Sequence, residues 1–122
     1  MNSQRGEGLQ ILYKIIDADA WRKAVAAGVF TGAAIDLTDG YIHLSTAAQA
    51  RDTARLHFAG ASNLMLVAID EAVVARVLKW EPSRGGQLFP HVYGTLDPAL
   101  ILWARPLPWD GAAHVFPAEF GA

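Results

Sequence analysis

The chain has 122 residues, about half of them hydrophobic, and a formal charge of −2. This supports one packed core and argues against global disorder, a second domain, or a broad basic surface for long nucleic acid. It has four histidines and no cysteine, which removes disulfides, thiolate nucleophiles and Cys-based zinc sites and fits a reducing compartment. The amino-terminal residues lack the apolar core of a signal peptide and no apolar run matches a bilayer, so a cytoplasmic protein is expected.

Residues 1–8 are polar with two glycines and are expected as a flexible lead-in, with residues 9–122 forming a single domain. From Leu9 to Ile16 the chain reads as a strand, with Tyr13 and Ile15 on one face and Leu12, Lys14 and Ile16 on the other. Asp17 or Asp19 can cap a helix through Trp21 and Val25 that stops at Gly28. The stretch from Val29 to Thr38 reads as a loop or irregular strand. Alternation then makes Tyr41 to Ser45 a strand with Tyr41, His43 and Ser45 on one side and Ile42 and Leu44 on the other.

Thr46 and Gln49 match a capping box for a helix from Ala47 to Ala59, closed by Gly60. Ala50, Ala54 and Phe58 form its buried stripe, while Gln49, Arg51, Asp52 and Arg55 face solvent or a neighbour. The apolar run from Leu64 to Ile69 predicts a central strand covered on both sides. Asp70 caps a short helical segment, Leu78 to Glu81 alternates again, and Ala99 to Leu107 reads as a final strand before a tail rich in proline and tryptophan. Five strands and two to three short helices, with no regular strand–helix repeat and no glycine-rich loop opening a helix, predict an α+β class.

The chemistry-bearing residues fall in two blocks. In Asp39-Gly40-Tyr41-Ile42-His43-Leu44-Ser45-Thr46, His43 suits a general acid/base or a partner for ribose hydroxyls, with Tyr41 and Ser45 on its face; the alternative is a structural histidine. In Trp80-Glu81-Pro82-Ser83-Arg84-Gly85-Gly86 through Phe89-Pro90-His91-Val92-Tyr93-Gly94, the backbone is fixed by proline and glycine. There His91 and Tyr93 can be presented to a ligand, against the alternative of an ordinary turn. Arg84 suits a phosphate, with the glycine amides approaching the same anion, or is a solvated loop arginine. Glu81 suits a developing cation or is an exposed strand-end carboxylate. Lys14 reaches a phosphate or snorkels, and Tyr13 stacks on a planar ring or packs. His57 on the helix and His114 in the tail lack the spacing of a metal site, so no metal is expected. A Ser45/His43/Asp39 triad is rejected, because the three alternate along one strand without a nucleophile elbow.

These two blocks, together with Leu12-Tyr13-Lys14-Ile15 and with Trp21 followed by Gly28, resemble domain-of-unknown-function family 952 from about Ile11 to Phe116. The resemblance implies an ADP-ribosylation-like fold, the split antiparallel or mixed sheet of ADP-ribosyltransferases and RNA 2′-phosphotransferases. Trp21 to Ser45 is similar to the phosphotransferase pattern, in which a tryptophan helix and a glycine precede an Arg-x-His-x-His strand. His43 matches the second histidine, Tyr41 stands at the first, and no arginine precedes it. Lys14 stands where many family members carry histidine after the first-strand tyrosine.

The resemblance further implies binding of NAD or an ADP-ribose-like nucleotide, with transfer or hydrolysis of the ribosyl unit and NAD as substrate rather than firm cofactor. On that reading Tyr13 and Tyr93 wall in the nicotinamide and His43 holds ribose hydroxyls. Arg84 with Lys14 neutralises the pyrophosphate, and Glu81 is available to stabilise the oxocarbenium-like ribose. The alternatives are a non-catalytic nucleotide-binding module, or an interaction domain whose tail, with Trp103, Trp109 and Phe116, covers a partner or its own core.

Overall fold

The computed structural model describes residues 9–121, so the lead-in expected at residues 1–8 lies outside the described residues. β1 (Ile11–Asp17) lies between β3 (Ser45–Thr46) and β4 (Leu64–Asp70), and β7 (Trp103–Pro106) pairs with the other side of β4. A second sheet places β6 (Leu88–Val92) between β2 (Ile42–His43) and β5 (Leu78–Pro82). Every pairing is antiparallel. With α1 (Ala18–Ala27), α2 (Ala34–Asp39), α3 (Ala47–His57) and α4 (Glu71–Val74), the class is α+β. Among the described residues no helix is long and apolar enough to cross a membrane.

Strand alternation sorts side chains into two cores. Leu12 and Ile16 of β1, with Val67 and Ile69 of β4, join Trp21, Phe30, Ile42, Leu44 and Val92 in a core shared by both sheets. Tyr13 and Ile15, with Leu64, Leu66 and Ala68, face the other way onto Ala50 and Ala54 of α3. The run in β4 is therefore covered on both faces, as its continuous hydrophobicity predicts, and each large aliphatic side chain so buried contributes about 1.5–3 kcal/mol. Phe116 and Phe120 pack on the second core, and Gly121 N–H donates to the Tyr13 hydroxyl at 3.2 Å. The tail thus covers its own core.

The predicted caps form. Asp17 accepts from Ala20 N–H at 3.0 Å, and Gly28 ends α1 with φ 78°, a left-handed conformation that glycine adopts without steric cost. Thr46 and Gln49 make the reciprocal capping box of α3. The helix stops at His57, earlier than expected, with Phe58 as its C-cap. Gln49 is buried, and its amide donates to Leu88 C=O at 2.9 Å, tying α3 to β6.

Three further stretches depart from the sequence expectation, and the described residues hold four α-helices rather than two to three. The segment read as a loop from Val29 to Thr38 contains α2, whose N-cap Ala33 has no side-chain oxygen. Asp36, inside the helix, instead accepts Ala33 N–H at 2.8 Å, so the capping signal is displaced from its usual position. The final strand begins at Trp103 rather than Ala99, because Asp97 caps a 3-10 turn over Pro98–Leu100.

The third departure is β6, where the sequence reading assigned no strand and where proline is disfavoured at a central position. Leu44 N–H donates to Pro90 C=O at 3.0 Å, and Pro90 has no N–H to return. The ladder ends there, and Ser45 pairs with Tyr13 of the other sheet. The single strand expected from Tyr41 to Ser45 is therefore two short ones that cross between sheets.

Candidate functional site

The two sheets part at this crossing and leave a cavity of about 500 Å³. His43, Leu44 and Ser45 line it beside Lys14 of β1, Asp39 of α2, Thr53 and His57 of α3, Arg84, and His91 of β6. Ile35, Phe58 and Phe89 add apolar wall. Both sequence blocks reach the same space, through elements from both sheets. The volume falls in the range of small-ligand pockets.

One wall is organised by Asp36, which is nearly inaccessible to solvent. Lys14 Nζ lies 3.0 Å from Asp36 Oδ1 and 2.9 Å from Oδ2, and donates to His43 C=O at 3.1 Å. Asp36 Oδ1 also accepts His43 N–H at 3.1 Å and lies 2.7 Å from His43 Nδ1. Burial opposes the Asp36 charge, but Lys14 and the N–H donors around it outweigh burial and hold the carboxyl below its ordinary range. Burial pushes the Lys14 ammonium down, against the pull of Asp36. On its other edge His43 Nε2 lies 2.9 Å from Asp39 Oδ2. When both ring nitrogens carry protons, His43 donates to both carboxylates.

A second imidazole is oriented differently. His91 Nδ1 lies 2.7 Å from Glu81 Oε1, the Tyr93 hydroxyl donates to that same oxygen at 2.7 Å, and Tyr41 stacks on His91 with centroids 4.1 Å apart. The bonds from His91 and Tyr93 hold the Glu81 carboxyl below its usual range, and Glu81 in turn pushes Tyr93 up to about 12. Burial, then the charges of Asp39 and Glu81, push Tyr41 up. His91 Nε2 makes no hydrogen bond among the described residues, in a side chain that is only 3% exposed. With Nδ1–H donated to Glu81, Nε2 is the basic nitrogen.

The third feature is Arg84. Its guanidinium stacks on Phe89 at 4.8 Å and donates to Thr53 Oγ1 at 3.3 Å. Thr53 donates to Gln49 C=O at 3.1 Å, leaving its lone pairs for Arg84 and for Ser45, whose hydroxyl lies 3.0 Å away. Arg84 is half-buried and forms no ion pair with any described residue.

Tyr13, Lys14, His43, Ser45, Arg84 and His91 therefore line one cavity, while the roles expected of Lys14, Tyr13, Glu81, Tyr41, Tyr93 and the glycine amides change. The Lys14 ammonium is committed to Asp36 and His43. The Tyr13 ring packs in the second core, edge-on to Phe120 at 4.9 Å. Glu81 stands behind His91, Tyr41 stacks on the His91 ring and Tyr93 bonds Glu81, and none of the three lines the cavity. Gly86 N–H is taken by Ser83 C=O at 2.9 Å, which removes it from anion binding. Sequence reasoning missed Asp36 and Thr53 and set Asp39 and His57 aside. Asp36 precedes His43 by seven residues, and only recognition of α2 would have revealed it. Among the described residues no cluster of three His, Asp or Glu is arranged to hold a metal ion.

The model of the family described as Protein of unknown function (DUF952) matches residues 15–104. The chain belongs to the DUF952 family. A crystal structure similar to this DUF952 chain is that of CC0527 from Caulobacter crescentus, 41% identical, with a TM-score of 0.82 over 86% of this chain and 92% of that one. The solution NMR structure of CC0527 gives a TM-score of 0.77 at the same identity, over 85% and 90% of the two chains. No functionally curated protein matches the chain.

Proposed function

We propose that the cavity binds a nucleotide of the ADP-ribose type, with NAD as the reacting form, and that His91 is the acid/base at the ribosyl carbon. The supporting observation is that one cavity carries both a half-buried guanidinium that forms no ion pair among the described residues and a buried imidazole whose Nε2 makes no hydrogen bond among them. A guanidinium fork matches pyrophosphate oxygens, and that nitrogen matches a ribose hydroxyl or an attacking oxygen. Phe89, Phe58 and Ile35 offer apolar surface to a planar base. The parting of the two sheets agrees with the split-sheet architecture of ADP-ribosyltransferases.

In the proposed step the bond between the ribosyl carbon and the nicotinamide nitrogen breaks, and both electrons go to that nitrogen. Nicotinamide leaves neutral. The oxygen of water or of an acceptor hydroxyl bonds to the ribosyl carbon, and His91 Nε2 takes its proton. Glu81 stabilises the resulting imidazolium through Nδ1–H, as carboxylates do behind catalytic histidines. The test is nicotinamide release from NAD. His91→Ala is expected to lower turnover by about 100-fold or more, and Glu81→Gln to lower it with little change in affinity. Absence of turnover in the parent protein contradicts the catalytic reading.

The position of Glu81 favours a second reading, a nucleotide-binding module without chemistry. A carboxylate that stabilises an oxocarbenium ion must stand beside the ribose, and Glu81 stands behind His91. In that case Arg84→Ala weakens nucleotide binding and Glu81→Gln changes neither binding nor turnover.

A further inference from the structure

We infer that Asp39 makes the cavity select a ribose with a free 2-hydroxyl and reject the same ribose carrying a 2-phosphate. This rests on the nucleotide reading above and names its substrate class. Asp39 is the last residue of α2 and lines the cavity. Its Oδ2 faces His43 Nε2 at 2.9 Å, and no described residue bonds Oδ1. The side chain is 37% exposed, against 1% for Asp36, so Asp39 offers a free acceptor to an incoming ligand.

That acceptor does not drift. The His43 ring is fixed from behind by Asp36, to which its Nδ1 and its backbone N–H both point, and Asp36 is itself ion-paired to Lys14. Asp39 is therefore docked on an anchored ring. The His43 and His91 rings lie 5.5 Å apart, which puts Asp39 and His43 beside the ribose on which His91 acts.

A carboxylate accepts hydrogen bonds and donates none. A ribose hydroxyl donates to it. A phosphate ester offers it only acceptors and like charge, which repels at this range. The groups that would offset the repulsion are already engaged: Lys14 on Asp36, His43 on Asp36 and Asp39, and Arg84 on the wall formed by Thr53 and Phe89. His57 of α3 also lines the cavity. In dinucleotide folds a carboxylate at a ribose 2-hydroxyl discriminates against phosphate by the same physics.

The test is calorimetric titration of the full chain with ADP-ribose and with ADP-ribose phosphorylated on the 2-hydroxyl of its terminal ribose. The parent protein is expected to prefer the unphosphorylated ligand by on the order of ten- to a hundredfold. Asp39→Asn, whose amide can donate to phosphate, should bring the ratio toward one, and Asp39→Ser should move it the same way. Unchanged melting temperatures establish that the variants are folded. Equal binding of both ligands by the parent, or a preference that survives Asp39→Asn, overturns the inference and leaves the nucleotide reading standing. Binding of neither ligand overturns the nucleotide reading and this inference with it.

Discussion

The Lys14 ammonium sits 2.9 Å from the Asp36 carboxylate with both side chains almost fully buried, 6% and 1% exposed. The pair ties β1 to α2, and the same carboxylate holds the backbone and the ring of His43. A buried pair of this kind is costly to break from one side, because the partner left behind is an unpaired charge. We predict that Asp36→Asn and Lys14→Met each destabilise the protein by about 3–5 kcal/mol, measured by urea unfolding. The double variant Lys14→Met/Asp36→Asn should lose less than the sum of the single variants. Additive losses would contradict the pairing.

Acid should act on the same group. The folded-state value of Asp36 lies below the ordinary 3.8, so the unfolded chain binds more protons between the two values. The stability contributed by Asp36 is therefore fully present above the unfolded value and is lost as pH falls through that value toward the folded one. We expect urea midpoints to stay level down to about pH 5 and then fall, with a shallower fall in Asp36→Asn. Parallel profiles would contradict this assignment.

Tyr93 titrates late because its hydroxyl donates to Glu81, which pushes it up to about 12. The sign is opposite to that of Asp36. A raised folded value favours the folded state below the unfolded value of 10.0, and that contribution disappears as pH rises toward 12. Difference absorbance between the parent and Tyr93→Phe should show one phenol ionising near 12. In a Glu81→Gln background that ionisation should move down toward the ordinary tyrosine value.

Gly32 has φ 129°, and a Cβ there would lie 3.0 Å from Asp36 Cβ. Gly32→Ala is expected to cost about 1–3 kcal/mol from backbone strain. Because the clash falls on Asp36, the His43 ring resonances should shift in NMR spectra of the variant. Loss of stability without any change at His43 would separate the strain from the site.

Much of this architecture can be read in the sequence wherever a signal is local. Asp17 and Gly28 bracket α1, Thr46 and Gln49 start α3, and the apolar run from Leu64 identifies the doubly covered strand. His43, His91 and Arg84 stand out because polar side chains with bonding capacity sit among turn and strand residues. The hidden part depends on tertiary partners. α2 lacks a capping oxygen at Ala33 and relies on Asp36. β6 survives Pro90 because its partner strand leaves at Leu44. The committed ammonium of Lys14 and the packed ring of Tyr13 follow from the opposite faces of β1, whose coverings lie far away in the chain.

The most direct test is the melting temperature of the intact protein titrated with ADP-ribose and with NAD, repeated with Arg84→Ala and His91→Ala. A ligand at the cavity stabilises the folded state increasingly with concentration. The account predicts a rise that Arg84→Ala abolishes and His91→Ala reduces, each measured against the same variant without ligand. No rise with either nucleotide at saturating concentration, or a rise untouched by Arg84→Ala, would contradict it.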